Sequence, residues 1–209
     1  MSGMQELLEQ IRILEKRVAD QVSAEAAQFG YTVQRGRARF SDETRRRHRA
    51  MQNRLRDYLR EASLPVIATG PLIYSLILPM LALDVMATLF QWICFPVYGI
   101  PRVIRHDYFV YDRHHLRYMN VIERFHCFYC SYANGLLGYA TEIAGRTEQH
   151  WCPVKHARRV KHPHSRYYRF FSYGDAESYQ GRLDELRNRF DDLKEAPAPS
   201  SDSKEKDNE

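Results

Sequence analysis

Residues 64–101 read LPVIATGPLIYSLILPMLALDVMATLFQWICFPVYGIP, and among these 38 positions Asp84 carries the only charged side chain. Outside this block the chain is polar and basic, with 31 Lys and Arg against 26 Asp and Glu in 209 residues and a net charge of +5. The mean hydropathy of the whole chain is negative, so its apolar character is concentrated in one place. About 20 apolar residues in helix cross the hydrocarbon core of a bilayer. The block therefore suffices for one tilted span or a tight hairpin. An apolar run of this length reads as a membrane segment rather than a buried core helix. It starts some 60 residues into the chain, after charged helical sequence, which is not the layout of a secretory signal.

The flanks suggest how the segment sits. Arg45, Arg46, Arg47, Arg49, Arg54, Arg56 and Arg60 precede it, and Arg102, Arg105, Arg113 and Arg117 follow it. Cytoplasmic flanks concentrate Lys and Arg. Basic residues on both sides therefore predict an even number of crossings, or none, with both termini cytoplasmic at a bacterial inner membrane. A hairpin divided at Asp84 leaves arms of about 17 residues, the short limit for a span. Pro71, Pro79 and Pro96 would kink those arms. A re-entrant or interfacial helix pair thus stands beside the double span. Asp84 is expected at the hairpin turn near water; the alternative is a functional carboxylate embedded in the membrane. Tyr74, Trp92 and Tyr98 suit anchoring at the headgroup level.

Residues 1–63 form an N-terminal helical region. Met4, Leu7, Ile11, Leu14 and Val18 follow heptad spacing there, and Gly30 and Gly36 then loosen the chain. Ser41 is a good N-cap for an Arg-rich helix reaching Ala62. Residues 176–195 form an amphipathic helix with a second short stripe, Tyr179, Leu183, Leu186, Phe190 and Leu193. The two stripes could pack on each other within the chain or make a homo-oligomer. Residues 196–209 have the composition of a disordered tail.

The chemistry lies in the module of residues 102–175, expected to be cytoplasmic and helical. Cys127 and Cys130 form a Cys-x-x-Cys pair, and after 21 further residues Cys152 and His156 follow. Three thiolates and an imidazole can close a tetrahedral zinc site, which makes Cys127, Cys130, Cys152 and His156 the candidate ligands. The same set could hold an iron–sulfur cluster, Cys127 and Cys130 could cycle as a redox dithiol, or all could be inert buried thiols. Cys94, inside the apolar block, reads as membrane packing. Glu142, Glu148, His126, His150 and His156 are dense enough to raise a di-iron site, but the Glu-x-x-His signature of such bundles is missing. Asn134, Gly135 and Gly138 point to a close helix contact or a helix break.

Residues 155–171 hold Lys155, Arg158, Arg159, Lys161, Arg166 and Arg169 with no acidic side chain, interleaved with aromatics. Next to a membrane segment such a stretch fits anionic headgroups; nucleic acid, the other polyanion that takes this pattern, is disfavoured as a partner. No nucleophile–base pair, phosphate loop or dinucleotide fingerprint is present, so a conventional hydrolase or kinase has little support.

Several segments together resemble a family of uncharacterised bacterial (proteobacterial-type) membrane proteins: Gln91 to Pro101, Asp112 to His115, Cys127-Phe128-Tyr129-Cys130, Asn134-Gly135, Arg146-Thr147-Glu148-Gln149, and Trp151 to His156. The resemblance covers roughly residues 65 to 175. It implies bacterial origin and membrane association, and brings no activity with it. The expected protein is mainly α: a membrane hairpin or re-entrant segment at 64–101, flanked by short coiled-coil-like helices and a small Cys/His module. Its expected role is that of a binding or scaffold protein with structural zinc; the alternative is a membrane redox protein.

Overall fold

The structure, a computed structural model, describes residues 3–34, 37–52, 55–56, 60 and 63–193. It is mainly helical and divides into two compact units, one drawn from residues 1–58 and 112–124, the other from 59–111 and 125–196.

In the first unit, helix α1 (Gly3–Gln28) ends at Gly30, whose φ of 66° is left-handed and reverses the chain. Strands β1 (Tyr31–Gln34) and β2 (Arg37–Phe40) come next as an antiparallel hairpin with Tyr31 opposite Phe40. The hairpin replaces the loosened chain expected between Gly30 and Gly36. The N-cap expectation holds: Ser41 accepts a hydrogen bond from the Thr44 amide at 3.2 Å and opens α2 (Asp42–Ala50). That helix stops at Ala50 and does not run on to Ala62 as one piece; several residues of 53–62 lie outside the described set. A ladder of rings, Tyr31 on Phe40, Phe40 on His48 and His48 on Tyr118, packs the unit with centroids 5.1–5.5 Å apart. Asn120 and Glu123 exchange side-chain-to-amide bonds of 2.9 and 2.7 Å, a capping box that starts the long helix α5. The heptad stripe of α1 is left uncovered: Leu7, Ile11, Leu14 and Val18 are all exposed.

In the second unit the apolar block forms α3 (Leu64–Ser75) and α4 (Ile77–Tyr98), separated only by Leu76, whose own backbone is helical. Pro79 has no amide to offer the Ser75 carbonyl, which accounts for the break at this point. Gly99, with φ 68°, closes α4. The expected reversal at Asp84 is absent: Asp84 lies inside α4, and the helix runs through it. The 32 residues Ile67–Tyr98 make up the one helical stretch among the described residues long and apolar enough to cross a membrane.

Helix α5 (Val121–Trp151) has 31 residues and is about 46 Å long. Tyr132, Leu136, Tyr139 and Ile143 recur along one side of it and pack with Phe95, Ile100 and Val103 into the core of the unit. Gly135 resolves as a close contact: a Cβ there would stand 2.8 Å from the Tyr108 carbonyl, so only glycine lets the 100–111 loop lie on the helix. Beyond α5 the chain returns through a bridge between Val154 and Phe171, then a 3-10 turn (Ser165–Arg169) and α6 (Ala176–Arg187). The second heptad stripe is spent here, with Leu186 buried and Phe190 against the core. The two stripes belong to different units; the first is exposed and the second is covered.

Candidate functional site

The buried stripe of α4 carries the polar residues of an otherwise apolar helix. Asp84 and Gln91 are seven positions apart, two turns, and so share a side. Arg105 clamps the Asp84 carboxylate with both terminal nitrogens, Nη2 at 2.7 Å from Oδ2. Tyr132 of α5 donates to the same Oδ2 at 2.9 Å. Gln91 donates to the Tyr139 hydroxyl and accepts the Val103 amide at 2.9 Å. Asp84 is thus neither at a turn nor unpaired. The carboxylate and the amide join α4 to α5 and to the loop after α4, and they satisfy the polar groups that this burial takes out of water.

The remaining sides of α4 are continuously apolar and uncovered. Leu78, Leu81, Val85, Met86, Leu89, Trp92, Ile93 and Val97 are all exposed, a surface far beyond the isolated apolar residues of an ordinary soluble face. Pro96 cannot donate to the Trp92 carbonyl, and Arg102 takes that place at 3.4 Å, with its guanidinium over the Trp92 ring. Tyr98 is drawn against His150 and Trp151, and Tyr74 against Phe125, His126 and Tyr129.

A second polar cluster ties the far half of α5 to the segments downstream of it. Glu142 Oε1 accepts from Arg146 Nε at 2.8 Å and from Arg166 Nε and Nη2 at 3.0 and 2.9 Å. Arg166, only 2% exposed, also reaches Asp192 Oδ2 at 2.8 Å and Gln149 at 3.3 Å. Arg146 caps the carbonyls of Pro101 and Arg102 at 2.7 and 3.0 Å. Gln149, 1% exposed, donates at 2.9 Å to the carbonyls of Leu186 and Arg189. Burial pushes the Asp192 carboxyl up, but Arg166 and Arg169 beside it outweigh that and hold it below the usual carboxylate range. Glu148 bonds His164 at 2.9 Å, and Gly145 makes room for that ring, since a Cβ would sit 2.7 Å from its Nδ1. The Arg146-Thr147-Glu148-Gln149 segment is therefore a set of tethers. Glu142 and Glu148 are engaged by arginine and histidine.

This geometry bears on two expectations. Cys127 and Cys130 lie near the start of α5, whereas Cys152 is one residue past its end. Twenty-two positions separate Cys130 from Cys152, about 33 Å of helix. Cys127, Cys130, Cys152 and His156 of one chain are thus not brought to one zinc or iron–sulfur site, and no group of three or more ligand-type side chains is found among the described residues. The His156 amide and ring meet the Tyr167 hydroxyl instead, at 2.7 and 3.4 Å. No disulfide joins any of the cysteines. Helix neighbours three apart hold their Cβ atoms about 5–6 Å from each other, wider than the roughly 3.5–4.5 Å of a disulfide. The basic run 155–171 also divides. Arg166 is buried on Glu142, and Arg169 is tied to Asp192 at 2.7 Å; Arg158, Arg159 and Lys161 are exposed, and Lys155 is half-buried.

The sequence matches no family model, no curated protein and no solved structure.

Proposed function

We propose that this chain is a membrane-attached binding or scaffold protein at the bacterial inner membrane, with α3 and α4 immersed along one leaflet and both termini on the cytoplasmic side. The observation that carries the orientation is the position of Arg105. Its side chain is 44% exposed and clamps Asp84, which lies 14 residues, about 21 Å, before the end of α4. Were α4 to stand across a bilayer about 30 Å thick, that accessible guanidinium would sit at hydrocarbon depth, where an arginine costs several kcal/mol. Laid along the interface, α4 sinks its apolar sides into the acyl region, while Arg102, Arg105 and the rest of the unit face the headgroups and water. Basic flanks before and after the block agree with this arrangement. Arg158, Arg159, Lys161 and the half-buried Lys155 are the members of the basic run left for headgroups.

Depth measurement in vesicles tests the orientation. A fluorophore on Met86→Cys or Ile93→Cys should be quenched by nitroxides on the acyl chains, and one on Ile104→Cys should be quenched only by headgroup nitroxides. Reporters fused at the two termini should report the same side. Opposite sides, or deep quenching at position 104, would overturn the in-plane arrangement.

A further inference from the structure

The first unit contains a pocket lined by Ala38, Arg39, Phe40, Arg45, His115 and Arg117. Its basic residues come from three separate segments: Arg39 from β2, Arg45 from α2, and His115 and Arg117 from the stretch after the 3-10 turn Arg113–His115 begins. No carboxylate lines it among the described residues. Among the described residues Arg39 and Arg117 have no ion pair, and Arg45 has only a loose 3.6 Å approach to the highly exposed Asp42.

The arginine-lined pocket of the second unit gives the contrast. There Arg169, Arg182 and Arg189 line the wall together with Asp175 and Glu185. Each of those arginines has a carboxylate, Asp192 at 2.7 Å, Glu185 at 3.0 Å and Asp191 at 3.3 Å. That pocket is internally neutralised. In the pocket of the first unit Arg39, Arg45 and Arg117 lie together with no close carboxylate partner among the described residues, a self-repulsion that a bound anion relieves. Guanidinium groups present paired N–H donors in a plane, a geometry suited to phosphate oxygens.

We infer that Arg39, Arg45, His115 and Arg117 form a binding site for a phosphomonoester dianion. Two sources supply that group: a soluble phosphate ester, or the headgroup of an anionic lipid such as phosphatidate. Binding of the soluble anion does not depend on the membrane placement proposed above; only the lipid source does.

Calorimetry on the full-length, detergent-purified protein with inorganic phosphate and glycerol 3-phosphate tests the site. Arg39→Gln and Arg117→Gln should each weaken binding about tenfold or more, while the paired change Arg182→Gln with Arg189→Gln, in the neutralised pocket of the second unit, leaves it unaltered. Circular dichroism checks folding; if a Gln variant fails to fold, Arg117→Lys replaces it, keeping the charge but losing the planar fork, and should still weaken binding. Vesicles of phosphatidylcholine doped with phosphatidate, or with phosphatidylglycerol at matched charge, separate the sources. Preference for phosphatidate, lost on adding glycerol 3-phosphate, assigns the lipid; soluble binding without that preference assigns the free ester. Absence of phosphate binding, or equal binding by wild type and pocket variants, overturns the site. So does an oligonucleotide binding more tightly than phosphate through the same arginines.

Discussion

Two polar clusters hold the second unit together, and they differ in how they keep charge out of water. At Asp84 one carboxylate meets one arginine that remains 44% exposed. At Glu142 one carboxylate meets two arginines, both nearly inaccessible. Asp84 leans on a partner that water or headgroups can still solvate, whereas Glu142, Arg146 and Arg166 are satisfied within the protein, by each other, by Asp192 and Gln149 and by two backbone carbonyls. The difference comes from what each cluster joins. The first binds a helix with its apolar sides uncovered to the rest of the unit; the second locks three chain segments onto the end of α5.

The largest effect is therefore expected at the second cluster. Arg166→Leu leaves Glu142 buried with half its partners and should destabilise the unit by about 3–5 kcal/mol, read as a shift of the urea midpoint in mild detergent. Adding Glu142→Leu and Arg146→Met to it should recover part of that loss, because the uncompensated charges go together. An Arg166→Leu protein as stable as wild type would erase the distinction between the clusters.

Gln91→Leu comes next. It leaves the buried Val103 amide without an acceptor and removes the partner of Tyr139, at a cost of about 1–3 kcal/mol by the same measurement. Asp84→Asn should cost less, about 1 kcal/mol, because the half-exposed Arg105 can turn to solvent. Equal losses at Asp84 and Glu142 would show that exposure of the partner does not decide the outcome.

Acid sensitivity sharpens the same contrast. The Asp192 carboxyl is held below the usual range by Arg166 and Arg169 despite its burial. The unfolded chain, with an ordinary aspartate pKa of about 3.9, then binds the proton more readily. The stabilisation is complete above that value and is lost as pH falls through the lower folded one. Urea midpoints tracked from neutral pH down to about pH 3 should fall less steeply in Asp192→Asn than in wild type.

Much of the frame was legible because its signals are local. The apolar block, the Ser41 cap and the α6 stripe can each be read within one or two helical turns. Asp84 was visible too, but its role needed Gln91 seven positions on, which places both on one side of a helix. The four candidate metal ligands stand apart for a physical reason. Spacing arguments for zinc assume a connection that can bend back, and the 21 residues between Cys130 and Cys152 are instead a rigid rod. The recurrence of Tyr132, Leu136, Tyr139 and Ile143 already carried that information. Arg166 was not separable from its basic neighbours, because its burial depends on Glu142, 24 positions away in sequence. The strand pair Tyr31–Gln34 and Arg37–Phe40 was hidden by the neighbouring glycines, one of which, Gly30, in fact makes the turn into it.

The smallest effect is expected where a stripe has nothing to cover. Leu14 is 57% exposed on α1, so Leu14→Ser removes little packing within the chain and should change the unfolding free energy of a dilute sample by no more than about 0.5 kcal/mol. The matching change on the covered stripe, Leu186→Ala, should cost about 2–4 kcal/mol. The α1 stripe places Ile11 and Val18 at one heptad position and Leu7 and Leu14 at the other, the arrangement that favours two parallel strands. If α1 pairs between copies, the penalty of Leu14→Ser should grow with protein concentration, as association requires. A concentration-independent penalty as large as that of Leu186→Ala would mean instead that α1 is covered within the chain.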